Sequence, residues 1–81
     1  MKVRVQFYAQ LRELVGVHEL ELELPQNATV WHLLNEVYAQ QPQLRAHDKS
    51  ILVAAGLEFV DRNYKLNRAD EIAIMPPVQG G

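Results

Sequence analysis

The sequence has no cysteine. That removes disulfides, cysteine-ligated metals, thiol nucleophiles and carriers that work through a thioester on their own side chain. It also fits a cytoplasmic setting, where disulfides are rare. No apolar run approaches the ~20 residues that span a bilayer. The opening "MKVRVQFY" alternates apolar and polar residues where a signal peptide would carry an apolar block. Eight Lys and Arg residues face ten Asp and Glu, for a net charge of −2, and the basic residues are scattered. Without a basic stripe interleaved with aromatics, nucleic acid is not an expected partner. Internal repeats and low-complexity blocks are absent too.

What is present is 81 residues, 48% of them apolar, which suits one small domain with a single core. Val3, Val5 and Phe7 alternate with Lys2, Arg4, Gln6 and Tyr8, the period-two pattern of a half-buried strand. In "AQLRELVG" the period changes. Leu11, Leu14 and Val15 fall at helical spacing, and Gly16 is placed to end a short helix in the left-handed conformation. "HELELEL" sets Leu20, Leu22 and Leu24 inward and Glu19, Glu21 and Glu23 outward, so the glutamates read as a solvated face. Pro25 closes that strand. Thr29 is the expected N-cap of the principal helix through "VWHLLNEVYAQQ", whose apolar stripe is Val30, Leu33, Leu34, Val37 and Tyr38, and Pro42 stops it. "QLRAHDK" reads as a connection, "SILVAA" as a strand buried on both faces, and "LEFV" as a short strand after a turn at Gly56. "EIAIM" is the last strand, with Ile72 and Ile74 inward. The order predicts an α+β domain over residues 1–75, one sheet of four to five strands against one principal helix, and an extended tail over 76–81.

The domain body offers no self-sufficient active site. His18, His32 and His47 do not pair at metal-ligand spacing, so no metal is expected. Ser50 lacks a nucleophile elbow. Asp70 and Glu71, as neighbours leading into a strand, point apart and read as turn chemistry. No glycine-rich loop precedes a helix, so no nucleotide cradle of the usual kinds is present.

The tail "PPVQGG" is different. Gly-Gly at the two final positions arises by chance in about one chain in 200 at ordinary glycine usage. Pro76 and Pro77 end the last strand and stiffen the exit, because proline fixes φ and donates no hydrogen bond. Val78 is the one large apolar side chain that follows. Six extended residues reach roughly 20 Å, and Gly80 and Gly81 carry no side chain to obstruct a narrow channel in another protein. The tail therefore presents the Gly81 carboxylate to a foreign active site. A carboxylate is a poor electrophile until it is adenylated, and a sulfur nucleophile would then give a thiocarboxylate. With no cysteine in the chain, the ATP site and the sulfur source both belong to partners.

The sequence resembles the small subunits of molybdopterin synthase, a family of ubiquitin-like sulfur carriers. "FYAQLRELVG" resembles the family's opening motif, "ATVWHLLNEV" lies where its main helix starts, and the stretch from Leu66 to Gly81 with its "PPVQGG" ending resembles its closing motif. The resemblance implies a β-grasp fold with a mixed sheet. It implies that an E1-like enzyme uses ATP to adenylate Gly81, that a sulfur donor protein converts the adenylate to a thiocarboxylate, and that the large synthase subunit takes up the tail. The cofactor expectation is that the chain itself binds none. A Gly-Gly end is shared with the thiamine-pathway sulfur carrier and with ubiquitin, so a thiamine-type carrier and a ubiquitin-like modifier or interaction module are the alternatives.

Strand alternation also predicts a partner-binding face. With Val60 and Ile74 inward, Phe59 and Met75 point outward, and Tyr8 lies opposite Phe7 in the same sense. Tyr8, Phe59 and Met75 are expected to form an exposed apolar patch with Arg12 at its rim.

Overall fold

The computed structural model describes residues 1–77. The elements run β1 (Lys2–Phe7), α1 (Gln10–Val15), β2 (Glu19–Glu23), α2 (Val30–Gln40), a 3-10 helix (Pro42–His47), β3 (Leu52–Ala55), β4 (Glu58–Val60) and β5 (Glu71–Met75). The five strands form one sheet in the order β2-β1-β5-β3-β4. β1 pairs antiparallel with β2 and parallel with β5, while β3 pairs antiparallel with both β4 and β5. The sheet is therefore mixed, and β5, the last strand, lies at its centre.

One face of the sheet builds the core. Val3, Val5, Phe7, Leu22, Val53, Ile72 and Ile74 pack in a single cluster with Leu33, Leu34, Val37 and Tyr38 of α2. Each aliphatic side chain of α2 that is wholly withdrawn from water (Val30, Leu33, Leu34, Val37) contributes about 1.5–3 kcal/mol of burial. The helix starts at Thr29 because that residue holds an extended backbone and shares a capping box with His32. The Thr29 N–H donates to His32 Nδ1 at 3.0 Å, and Thr29 Oγ1 stands 3.0 Å from the same nitrogen. A histidine thus takes the place that glutamate or glutamine usually fills in this box. At the other end the Gln41 N–H donates to Val37 O at 2.7 Å, and Pro42 opens the 3-10 helix, where its missing N–H costs nothing.

Four expectations need correction. Leu14 is 41% exposed and outside the core, since a two-turn helix holds only an i, i+4 pair against the sheet, here Leu11 and Val15. The segment expected as a connection after Pro42 is the 3-10 helix, and its Leu44 is fully buried beneath α2 and α1. β3 is buried on both faces only at its centre, where Val53 and Ala54 point to opposite sides; Leu52 and Ala55, at its ends, are half-buried. Leu20 packs against the core only in part, at the end of the β2 edge strand.

The turn before β5 follows the expected acidic chemistry. Asp70 accepts the Asn67 N–H at 2.8 Å and the Tyr64 hydroxyl at 3.1 Å, which fixes the chain's entry into the central strand.

Candidate functional site

The central strand delivers the tail, so the site is built where β5 ends. The ladder to β1 extends one bond past the paired residues: the Tyr8 N–H donates to Ile74 O at 3.1 Å. Immediately beyond, the chain of β1 turns away. The Tyr8 carbonyl accepts the Leu11 N–H at 3.2 Å, and the Ala9 carbonyl accepts the Arg12 N–H at 3.1 Å. Ala9 has φ 55° and ψ −133°, the first central position of a type II′ turn, which glycine normally occupies. Ala9 and Gln10 line a shallow hollow whose opposite wall is Pro76 and Pro77. The exit of the tail and the start of α1 are therefore one structural feature.

Tyr8 and Arg12 flank this exit. Tyr8 is 40% exposed and lies on the sheet face opposite the helices, where its hydroxyl donates to Gln6 Oε1 at 2.8 Å. The Arg12 guanidinium carbon stands 5.9 Å from the Tyr8 ring centre, and Nε donates to Phe7 O at 3.3 Å. Arg12, Tyr8, Gln6, His18 and Glu19 line a second open hollow beside it.

Met75 is on the same outer face as Tyr8, half-buried, directly across from Leu52. Phe59 also points to the outer face and is 61% exposed, but it sits opposite Ala54 on β4, two strands from β5 and about 10 Å away at ordinary strand spacing. The structure thus brings Tyr8 and Arg12 into contact and sets Met75 at the next strand. Phe59 connects to them only through Ala54, Ala73 and Leu52. Leu52 is a member of this face that sequence reasoning missed, because an unbroken apolar run such as "SILVAA" hides its phase. Leu57, fully exposed at the tip of the β3–β4 turn, was missed as well. Its signal was an aliphatic residue directly after the turn glycine, Gly56, which has φ 62°. Val78, Gly80 and Gly81 lie outside the described residues.

A polar cluster stands elsewhere, at the end of the 3-10 helix. Asp48 Oδ1 accepts the Tyr38 hydroxyl at 2.5 Å and Arg62 Nη1 at 2.7 Å, while Arg62 Nη2 donates to the Asp48 carbonyl at 2.6 Å. The Tyr38 hydrogen bond, then that of Arg62, holds the Asp48 carboxyl below its ordinary range. Burial, then the hydrogen bond to Asp48, pushes the Tyr38 phenol up. Arg62 also stacks over Trp31 at 5.6 Å and Arg45 over Tyr38 at 5.3 Å. Tyr38, Asp48 and Arg62 are partners of one another within the fold, which makes the cluster a staple between the β4 exit and the 3-10 helix.

Among the described residues, no group of three or more His, Asp or Glu is placed to hold a metal ion, and no helix is long and apolar enough to cross a membrane.

Comparison with known proteins agrees along the whole length. The ThiS family profile matches residues 5–81. The molybdopterin synthase sulfur carrier subunit of Chlamydomonas reinhardtii is 36% identical over 83 residues, which cover 100% of each chain. A Pyrococcus furiosus protein proposed as subunit 1 of a molybdopterin converting factor superimposes with a TM-score of 0.87 at 29% identity, over 96% of this chain and 99% of that one. A solved complex of subunits 1 and 2 of the Helicobacter pylori molybdopterin-converting factor also contains this fold, at a TM-score of 0.69 and 21% identity, over 100% of each chain. The architecture is the ubiquitin-like β-grasp, as the opening and closing motifs implied.

Proposed function

The chain belongs to the ThiS family, and from that premise we propose that it is the sulfur-carrier subunit of a molybdopterin synthase, with the Gly81 carboxylate as its reactive group. The carboxylate attacks the α-phosphate of ATP held by an E1-like partner, forming a glycyl-adenylate and expelling pyrophosphate. A persulfide on a donor protein then displaces AMP to give an acyl disulfide, and a second thiol of the partners cleaves that S–S bond, leaving a thiocarboxylate on Gly81 and a disulfide on the partner side. The large synthase subunit receives the tail and uses that sulfur for the dithiolene of molybdopterin. ATP and the catalytic side chains belong to partners, and this chain supplies the carrier terminus and the surface that docks.

The observation that carries the reading is the coincidence of a family match over residues 5–81 with the Gly-Gly pair at its last two positions. Full-length identity to a molybdopterin synthase sulfur carrier subunit favours this carrier over the thiamine type. The geometry supports it in a second way. The tail leaves from the central strand between Tyr8 and Leu52, so a partner that swallows it also meets the outer face with Tyr8, Arg12, Met75 and Phe59. Six residues can span at most roughly 20 Å at about 3.3–3.6 Å each, enough to reach a buried active site.

The test is adenylation. The protein is incubated with an E1-like activating enzyme and ATP, and pyrophosphate release is followed. One pyrophosphate per chain, with AMP recovered on the protein, is the expected result. Activation that is unaffected by removal of Gly80 and Gly81 would overturn the reading.

A further inference from the structure

The two prolines after β5 occupy the positions at which a continued strand would bond first to one neighbouring strand and then to the other. In a strand, the N–H and C=O of one residue point to the same neighbour, and the direction alternates along the chain. Ile74 O accepts from Tyr8, so residues 72 and 74 point to β1, as position 76 would in a continued strand. Glu71 O accepts the Gly56 N–H at 2.9 Å, so residues 71, 73 and 75 point to β3, as position 77 would in a continued strand. The next bond of the β1 ladder would run from residue 76 to the Tyr8 carbonyl. The next bond of the β3 ladder, extending the Leu52–Met75 pair by two residues, would run from residue 77 to the Ser50 carbonyl. Residue 76 is proline and residue 77 is proline, and neither has an N–H to give.

Two of the neighbouring groups that face these positions are used within the fold instead. The Tyr8 carbonyl takes the Leu11 N–H, which starts α1 and requires the glycine-like backbone at Ala9. On the other side the Ser50 N–H, which would bond back to residue 77, donates instead to His47 O at 3.0 Å.

We infer that Pro76 and Pro77 are a two-sided ladder stop that positions the tail, Pro76 closing the β1 side and Pro77 the β3 side. A central strand needs both. An edge strand has one neighbour, and one proline ends its pairing. β5 has two, so a single proline would leave the chain free to zip onto the other. This role rests on the carrier reading: residues bonded into the sheet must be peeled away before the terminus reaches a partner's active site.

The test uses the full chain with Pro76→Ala, Pro77→Ala and both together, measured by amide exchange and by adenylation kinetics. Each restored bond is expected to hold the tail back roughly two- to twelvefold, from the net worth of one hydrogen bond. The new amide at position 76 should exchange more slowly than in an unstructured peptide in the first variant, and the new amide at position 77 in the second. In the double variant the KM of the carrier for its activating enzyme should rise roughly five- to 150-fold, with kcat unchanged, because the competent state is depopulated. Introduced amides that exchange at the unstructured rate would overturn the ladder stop. Protected amides with an unchanged KM would overturn the positioning role. Failure of the native protein to be adenylated is a separate result, which sinks the carrier reading while amide exchange still decides the ladder stop.

Discussion

Replacing Ala9 with glycine should make the protein more stable, against the usual direction of an Ala→Gly change. Ala9 holds φ 55° and ψ −133°, outside the regions an L-residue with a Cβ prefers, and it is the only non-glycine residue with positive φ among those described. Such a conformation costs of order 1–3 kcal/mol and persists where surrounding bonds over-determine it. Here those bonds are Leu11 N–H to Tyr8 O at 3.2 Å and Arg12 N–H to Ala9 O at 3.1 Å. Glycine relieves the strain and adds about 0.4–1 kcal/mol of chain entropy to the unfolded state. The net gain is roughly 0.5–2 kcal/mol. At about 4–8 °C per kcal/mol for a domain of this size, Ala9→Gly raises Tm by several degrees in a calorimetric or circular-dichroism melt. An unchanged or lower Tm would refute the reasoning, since it would mean that the turn holds Ala9 without strain and that the coupling of Tyr8, α1 and the tail exit is not under tension.

Arg62→Ala should lose about 1.5–3 kcal/mol in urea unfolding, because it removes two short bonds to Asp48 and leaves a one-third-exposed carboxylate short of a partner. The Asp48 carboxyl titrates below its unfolded value, so its stabilisation is fully present above the ordinary carboxylate pKa, near 4, and is lost as pH falls through the lower folded value. The Tm difference between the native protein and Asp48→Asn should therefore be constant at neutral pH and shrink in acid; a gap that widens in acid would contradict the assignment. His32→Ala should destabilise by about 1 kcal/mol through loss of the capping box, with amide exchange at Thr29 as the local readout. Phe59→Glu should weaken binding to a large synthase subunit in titration calorimetry with Tm almost unchanged, because the side chain is 61% exposed.

The strands were legible where one face of the sheet is wet. Val3, Val5 and Phe7, or Ile72 and Ile74, alternate with polar or smaller residues because the helices cover one side only. β3 was legible as a strand but not in phase: its residues are apolar at every position, since its outer face carries Leu52 beside Met75. The 3-10 helix was not legible, as its six residues contain one core side chain, Leu44, and a single point defines no period. Strand order depends on pairings far apart in sequence, and no local pattern encodes that β1 lies parallel to β5. The reading of the tail rests on local sequence, on which residues follow one another, and Val78, Gly80 and Gly81 lie outside the described residues. Ala9 left no trace in the sequence, since its backbone is set by the bonds around it and alanine is an ordinary residue there.

The carrier role turns on the Gly81 carboxylate, and the most direct measurement is the intact mass of the protein after incubation with an activating enzyme, ATP and a sulfur donor, native beside a variant with one alanine added after Gly81. The added residue keeps the charge but moves the carboxylate about 3.5 Å further on, and misplacement of even about 1 Å can cost a hundredfold at a reacting centre. The native protein should gain the mass of one oxygen-to-sulfur exchange, and the extended protein, with the same Tm, should gain none. Sulfur incorporated into the extended protein at the native rate would show that Gly81 is not the reactive group.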